Sequence, residues 1–233
     1  MKHLTKVLSL AVASIAASST LSATVIGTAT FTCLNDPSAA CLALGSQMEV
    51  RVTNEAPSGQ VDFRFLNTGP TDSIITTIYF DTGTTSLLAS IASINAITGS
   101  VSFEDDSPGG TLPGGNGNPY KFSSDFSADR TSKGGVTNGI NVGEELQVIF
   151  NLTSGTKLTD LKGNFGGPLD LSKIRIGIHV QSIDGPGFSP GDSRGMIAGP
   201  VPLQFSNGVP EPSTYLLGGA ALSFLAFLRR RQK

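Results

Sequence analysis

Residues 174–183 read IRIGIHVQSI, the most regular alternation of apolar and polar side chains in this 233-residue chain. One face of the segment carries the branched residues Ile174, Ile176, Ile178 and Val180. Side chains along a β-strand point alternately to opposite faces, so this row predicts a strand whose apolar face lies in a core. The same alternation places His179 on the opposite, polar face.

Further segments on both sides of this strand have the same character. They alternate with period two or are rich in β-branched and aromatic residues, and they span Thr24–Thr32, Gln47–Thr53, Gln60–Leu66, Ser73–Phe80, Tyr120–Asp129, Leu146–Thr153 and Met196–Phe205. Pro200 and Pro202 interrupt the last segment and predict that it lies at a sheet edge. Ser86–Ile97 fits either a helical face or a strand, and we favour the strand.

These segments predict an all-β fold, because turn-forming residues separate strands that are each short. A single sheet would leave its apolar face in water, so two sheets must cover each other. Short connections favour antiparallel pairing, since parallel crossovers need about a dozen residues or more. We therefore predict a single antiparallel β-sandwich, jelly-roll-like, over residues 24–206. Within it, the Gly- and Pro-rich segment Ser107–Pro119 is predicted to be a surface loop.

The C-terminal residues 209–233 read VPEPSTYLLGGAALSFLAFLRRRQK and have three parts in a fixed order. A Pro-Glu-Pro tripeptide comes first, an uncharged apolar run follows, and a basic cluster closes the run. Spanning hydrocarbon takes ~20 apolar residues, so a transmembrane helix over residues 214–228 is short. Basic residues are typical of the cytoplasmic end of such a helix. The residues that define the tail are Pro210, Glu211, Pro212, Arg229, Arg230 and Arg231.

This order resembles the PEP-CTERM sorting signal of Gram-negative bacteria. The resemblance implies that an exosortase, an intramembrane enzyme similar to cysteine transpeptidases, cuts the chain near Pro-Glu-Pro. The remainder is then released or attached outside the cell. Four internal segments, FLNTGPTDSIITTIYFDTG, SPGGTLPGGN, GINVGEELQVIFNL and KIRIGIHVQSIDG, are also similar to β-rich passengers that commonly precede such a tail. No activity is assigned to that group of passengers.

The N-terminal residues 1–23 have the three regions of a secretory signal peptide. Lys2 and Lys6 form a basic start, residues 7–17 are apolar, and residues 21–23 offer a cleavage site. We therefore expect export by the Sec machinery and a transient intermediate in the inner membrane. The predicted boundaries are 1–23 for the signal peptide, 24–206 for the β-sandwich and 207–233 for the sorting signal, with a helix at each end of the chain.

The charge of the exported part argues against nucleic acid as a partner. Of the 16 Lys and Arg residues, Lys2, Lys6, the three terminal arginines and Lys233 lie outside residues 24–228, which leaves 10. All 18 Asp and Glu residues lie inside that interval, so its formal charge is −8. An acidic, exported domain lacks the basic surface that binds nucleic acid.

The two cysteines, Cys33 and Cys41, are predicted to form a disulfide. They are separated by eight positions across an Asp-Pro turn signal, and the exported compartment is oxidising. A metal or redox pair is the alternative interpretation, but the spacing is not CxxC and no histidine is near.

Candidate catalytic residues are few, and we predict a protein that is not an enzyme. His179 is the one histidine after the signal peptide, and no GxSxG segment is present to hold a nucleophile. Glu104, Asp105 and Asp106 precede a Gly-Pro loop and suggest a solvated acidic turn or, alternatively, a weak calcium site. The DxDxDG spacing of a calcium loop is missing, which favours the solvated turn. Apart from this weak calcium candidate, we expect no cofactor and no metal ligands.

These observations together predict an exosortase-sorted protein of the cell surface or extracellular matrix. Its β-sandwich is expected to be non-catalytic and associated with extracellular polysaccharide or biofilm. The alternative is a polysaccharide-binding or polysaccharide-modifying module, lectin-like or glycosidase-like. Carboxylates that converge in a cleft would favour the modifying enzyme.

Overall fold

The computed structural model describes residues 25–53, 56–83, 87–115, 122–132, 135–156, 167–168 and 174–198. The predicted signal peptide and sorting tail lie outside these ranges. The elements are β1 (Val25–Cys33), α1 (Ala39–Gln47), β2 (Met48–Thr53), β3 (Gln60–Asn67), β4 (Asp72–Asp81), β5 (Leu88–Thr98), β6 (Phe103–Asp105), β7 (Phe126–Arg130), a 3-10 helix (Gly135–Asn138), β8 (Glu145–Leu152), β9 (Gly167–Pro168), β10 (Arg175–Asp184) and β11 (Asp192–Ala198).

The strands form one nearly closed, barrel-like sheet in the order β5-β8-β3-β2-β1-β11-β10-β4-β7-β6. These neighbours all pair antiparallel, and the short β9 adds a parallel pair to β1. Strand β1 joins two halves, because residues 25–30 pair with β2 and residues 31–33 pair with β11. The prediction of an antiparallel all-β fold is therefore confirmed. The two sheets expected from the sequence are continuous with each other through β1.

The hydrophobic core lies between the first half (β5, β8, β3, β2) and the second half (β11, β10, β4, β7, β6). Phe80 of β4 occupies its centre, with its ring centroid 5.3 Å from Phe63 and 4.6 Å from Phe150 of the first half. Both ring pairs meet edge to face, a favourable arrangement that adds to the burial of apolar area. The facing halves thus cover each other as the amphipathic strands require.

Strand β10 behaves as its alternation predicts. Ile176, Ile178 and Val180 are fully buried in the core, and Ile174 just before the strand is also buried. His179 lies on the other face and is half-buried. The ambiguous segment 86–97 is a strand, β5, as favoured.

The structure adds one element that the sequence analysis does not predict, and it corrects the position of one strand. Residues 39–47, for which the sequence analysis gives no element, form the helix α1, because Ser38 caps it by accepting a hydrogen bond from the Cys41 amide at 3.2 Å. Strand β11 begins earlier than expected and lies between β1 and β10, not at an edge. The prolines that suggested an edge follow at 200 and 202, beyond the described part of the strand.

The predicted surface loop after β6 folds back over the outer face of the second half. Its Leu112 is fully buried, and it belongs to a second apolar cluster, which we call the outer cluster: Leu34, Tyr79, Leu112, Phe122 and Ile197. Gly177 of β10 makes room for it, since a Cβ there would lie 2.7 Å from a Leu112 methyl. The loop is therefore partly a structural cover for the sheet.

Candidate functional site

Cys33 and Cys41 form a disulfide, as the sequence predicts. The bond joins the end of β1 to the first turn of α1, with 5.9 Å between the two Cα atoms. Both residues are buried, and Leu44 of α1 is fully buried beside them in the same core. The disulfide therefore holds the helix against the sheet and lies away from solvent.

The acidic residues after β5 are exposed and diverge. Glu104 and Asp105 are neighbours in β6, so they point to opposite faces of the sheet, and Asp106 follows the strand. Asp105 accepts a hydrogen bond from the Ser107 amide at 2.9 Å, which makes a local turn. Within the described ranges, no group of three or more His, Cys, Asp or Glu side chains is arranged to hold a metal ion.

A polar strip crosses four strands on the outer face of the second half. Glu104 of β6 lies opposite Asp129 of β7, which lies opposite Thr77 of β4, which lies opposite His179 of β10. The Thr77 hydroxyl donates a hydrogen bond to Asp129 at 2.8 Å. The strip therefore presents a row of acceptors and donors that the sequence distributes over about 100 positions.

Of the titratable side chains in this strip, His179 is the one whose ordinary pKa lies nearest to neutral pH. Burial lowers its pKa below the usual value, with the charge of Asp129 opposing the shift and that of Arg130 adding to it. Burial therefore favours the neutral imidazole over the charged form. Among the residues that the structure describes, none donates to or accepts from the ring, and Thr77 is directed to Asp129 instead.

A cleft of about 360 Å³ lies beside the strip. Hydroxyls, an amide and one carboxylate line it: Ser102, Glu104, Thr131, Ser132 and Asn138. The Thr131 hydroxyl donates to Ser102 at 3.0 Å, and the Asn138 amide donates to the Thr131 hydroxyl at 3.2 Å. These bonds position the walls, while Glu104 and Ser132 are exposed and open to a ligand. Such a lining suits hydrogen bonding to hydroxyl groups.

Of the residues that line this cleft, the sequence singles out only Glu104, as part of an acidic turn or weak calcium site. Ser102, Thr131 and Ser132 lie in connecting segments and Asn138 ends the 3-10 helix, and no local spacing marks these polar residues as one group. Two backbone bonds bring them together, from the Ser102 amide to Asn138 and from the Thr131 amide to Ser102, at 2.9 and 2.8 Å. Only the pairing of β6 with β7 places these turns side by side.

A second polar network covers the outer face of the first half. Its centre is Asp62 of β3, which is fully buried although it lies on the side away from the core. One carboxylate oxygen accepts hydrogen bonds from Thr53, Arg64 and Gln147 at 2.7, 3.2 and 2.9 Å. These three donors hold β2, β3 and β8 in register, so we assign the network a structural role.

The sorting residues Pro210, Glu211, Pro212 and Arg229–Arg231 lie outside the described residues, as does the predicted span 214–228. In the part of the chain that the structure describes, no helix is long and apolar enough to cross a membrane. Comparison with protein-family models matches residues 208–232 to the PEP-CTERM protein-sorting motif. The chain carries a PEP-CTERM sorting motif.

The PEP-CTERM match agrees with the resemblance seen in the sequence. It implies an exported protein that passes through the membrane during sorting to the cell surface and is processed by an exosortase. The match covers the tail alone, so the passenger domain has no assigned activity. Searches of curated proteins and of solved structures find no match to the chain.

Proposed function

We propose that the passenger is a non-catalytic domain that the sorting motif delivers to the extracellular polysaccharide or biofilm matrix. The observation that carries this proposal is the match at residues 208–232, which implies the route to the surface. A domain with a formal charge of −8 over residues 24–228 is suited to a hydrated extracellular location.

The arrangement of the titratable groups supports a role without catalysis. Nucleophilic catalysis needs a base within hydrogen-bond reach of its nucleophile. Here no hydroxyl within the described ranges donates to the His179 ring, so no histidine-activated nucleophile is assembled; the Thr77 hydroxyl donates at 2.8 Å to the Asp129 carboxylate, a group that is ordinarily a weaker base than imidazole. Among the residues that line the cleft, Glu104 is the sole carboxylate.

A polysaccharide-binding module is the second candidate function, and the cleft of about 360 Å³ favours it. Its volume is that of a small-ligand site. Glu104 and Ser132 supply an exposed acceptor and an exposed hydroxyl at its mouth. A glycosidase-like activity would need a second carboxylate beside Glu104, and its cross-strand neighbour Asp129 is not among the described residues that line the cleft.

The experiment that tests the route compares the native host with and without its exosortase. Fractionation and mass spectrometry of the mature termini should show a processed protein outside the cell in the first case and an intact tail in the membrane in the second. In the host that has its exosortase, recovery of protein outside the cells with its tail intact would contradict the proposal.

The experiment that separates binding from structure uses matched variants of the cleft. Co-sedimentation of the exported protein with the host's isolated polysaccharide is compared for wild type, Glu104→Gln and a distant control, Ser58→Ala. Loss of co-sedimentation in Glu104→Gln alone supports the binding module. Release of reducing sugar by wild type, absent in Glu104→Gln, would instead establish the glycosidase-like alternative.

A further inference from the structure

A second cleft lies close to the one that Glu104 lines, which we now call the first cleft. The second cleft has a volume of about 330 Å³. One carboxylate, two hydroxyls, an amide and an apolar wall line it: Asp72, Ser73, Ile74, Asn141, Val142 and Ser182. The Asn141 amide is held in place, because it donates a hydrogen bond to the Glu144 carboxylate at 2.7 Å. The second cleft therefore has the same kinds of polar groups as the first.

One short segment separates the two clefts. Asn138 lines the first and Asn141 the second, and both belong to residues 135–141, which begin with the 3-10 helix. Three residues of chain span at most about 11 Å, so the two clefts are neighbours. Backbone hydrogen bonds at 2.9 and 3.1 Å between Ile140 and Ile75 hold the segment against β4. The sheet therefore fixes the spacing between the clefts.

Each cleft offers an unpaired negative charge to a ligand. Glu104 is the one charged side chain among the described residues that line the first cleft, and Asp72 is the one that lines the second. Within the described ranges, neither carboxylate has a hydrogen bond or an ion pair. The residues around the first cleft add to its charge, since 102–106 and 129–138 contain four acidic and two basic residues, a formal balance of −2.

The surroundings of the second cleft are also acidic. Residues 71–75, 139–144 and 181–185 contain three acidic residues and no basic one. Asp72 on β4 lies directly opposite Asp184 on β10, and like charges across strands are unfavourable. A positively charged ligand in the second cleft would relieve this repulsion.

These charges discriminate among the polymers of an extracellular matrix. A polysaccharide with carboxylate or sulfate groups would be repelled by Glu104 and Asp72. A neutral polysaccharide would bond to the hydroxyl and amide groups but gain nothing from the two charges. A lysine-rich peptide would match the charges but lacks hydroxyl groups to pair with side chains such as Ser132. An amino sugar has both an ammonium group and hydroxyls, and a chain of such sugars repeats them along its length.

We propose that the two clefts form one site for a polysaccharide with free amino groups, in which two units of the same chain place ammonium groups against Glu104 and Asp72. This inference rests on the polysaccharide-binding function proposed above, and it names the class of ligand. It also extends the site from one cleft to two, so that a chain binds more tightly than a single sugar.

The test measures binding of the exported protein to fluorescent oligomers under mildly acidic conditions that keep the sugar amine protonated. The oligomers are a glucosamine hexamer, its N-acetylated form, a hexamer of a uronic acid and hexalysine. The glucosamine hexamer should bind roughly tenfold or more tightly than the N-acetylated form, because acetylation removes the charge and keeps the hydroxyls. It should also bind more tightly than hexalysine and than monomeric glucosamine, and the uronic acid hexamer should not compete with it.

The variants Glu104→Gln and Asp72→Asn assign the two clefts. Each should weaken binding of the glucosamine hexamer by roughly tenfold, because each removes one charged hydrogen-bond acceptor. Both side chains are exposed, so the variants should fold normally. The matched control is Glu49→Gln, which removes the same charge on β2 and loses only a surface ion pair with Arg51. It should bind like wild type.

Equal binding of the glucosamine and N-acetylated hexamers would overturn the inference and leave the proposed polysaccharide-binding function standing. Equal binding of hexalysine would overturn it as well, since the clefts would then respond to charge alone. Affinity that neither Glu104→Gln nor Asp72→Asn changes would contradict the assignment to these clefts. Failure of the glucosamine hexamer to bind overturns the inference too, and co-sedimentation with the host's polysaccharide then decides whether the proposed binding function survives.

Discussion

Leu112 provides a direct test of whether the Gly- and Pro-rich loop covers the sheet. The side chain is fully buried in the outer cluster, although it lies in a segment whose composition predicts a surface loop. Complete burial of a leucine contributes about 1.5–3 kcal/mol, and truncation to alanine adds the cost of the cavity left behind. A cluster of five residues at the periphery relaxes more readily than the main core. We therefore expect Leu112→Ala to lower the free energy of unfolding by about 2–3 kcal/mol.

The measurement is urea unfolding of the exported protein, with the slope against denaturant compared between variants. The control is Leu42→Ala, the same chemical change on α1 at a side chain that is 54% exposed. Leu42→Ala should change stability by less than about 0.5 kcal/mol. Hydrogen exchange adds a local readout, because the Gly115 amide donates to the Leu112 carbonyl at 2.8 Å. Faster exchange at Gly115 would show that the loop has detached.

Equal effects of the two leucine substitutions would refute the packed loop. So would unchanged exchange at Gly115 together with a loss in Leu112→Ala below about 0.5 kcal/mol. Gly177→Ala approaches the same contact from the sheet, since its new Cβ would lie 2.7 Å from a Leu112 methyl and 3.3 Å from the Phe122 ring. This substitution should accelerate hydrogen exchange of the backbone amides in the loop and leave the exchange rates of the α1 amides unchanged.

The remaining predictions concern the sorting signal, the disulfide and pH. Glu211→Ala should leave unprocessed protein in the membrane fraction on immunoblots. Normal release of this variant would show that Glu211 has no part in sorting. Replacing Cys33 and Cys41 by alanine should lower the free energy of unfolding by about 2.5 kcal/mol, the loop-closure entropy of so short a ring; denaturation curves that coincide with wild type would contradict this. Burial lowers the pKa of His179 in the folded protein, so the unfolded chain binds a proton at this residue more readily. The contribution of His179 to the free energy of unfolding is therefore complete above the ordinary pKa of 6.5 and declines as the pH falls below it. His179→Gln should flatten this decline in urea titrations at successive pH values, whereas equal slopes in both proteins would exclude a contribution from His179.

The candidate site could be anticipated only in part. Glu104 is conspicuous in the sequence because three acidic residues stand together before a Gly-Pro loop. Its neighbour across the sheet, Asp129, is 25 positions away and follows from the pairing of β6 with β7. Ser132 and Asn138 carry no local signal, since hydroxyl and amide residues are common in turns. Their proximity depends on strand pairing, which no short segment encodes alone.

The sequence by itself determined the sorting motif and the strands. A linear signal such as Pro210–Pro212 carries its information in a contiguous run, and the family match at residues 208–232 requires no fold. The row Ile176, Ile178 and Val180 follows from an alternation that each strand expresses locally. Only the tertiary structure decided that β1 joins both halves and that Leu112 is buried. Alternation specifies which face of a strand is apolar, but the choice of neighbour and register depends on contacts between segments distant in the chain.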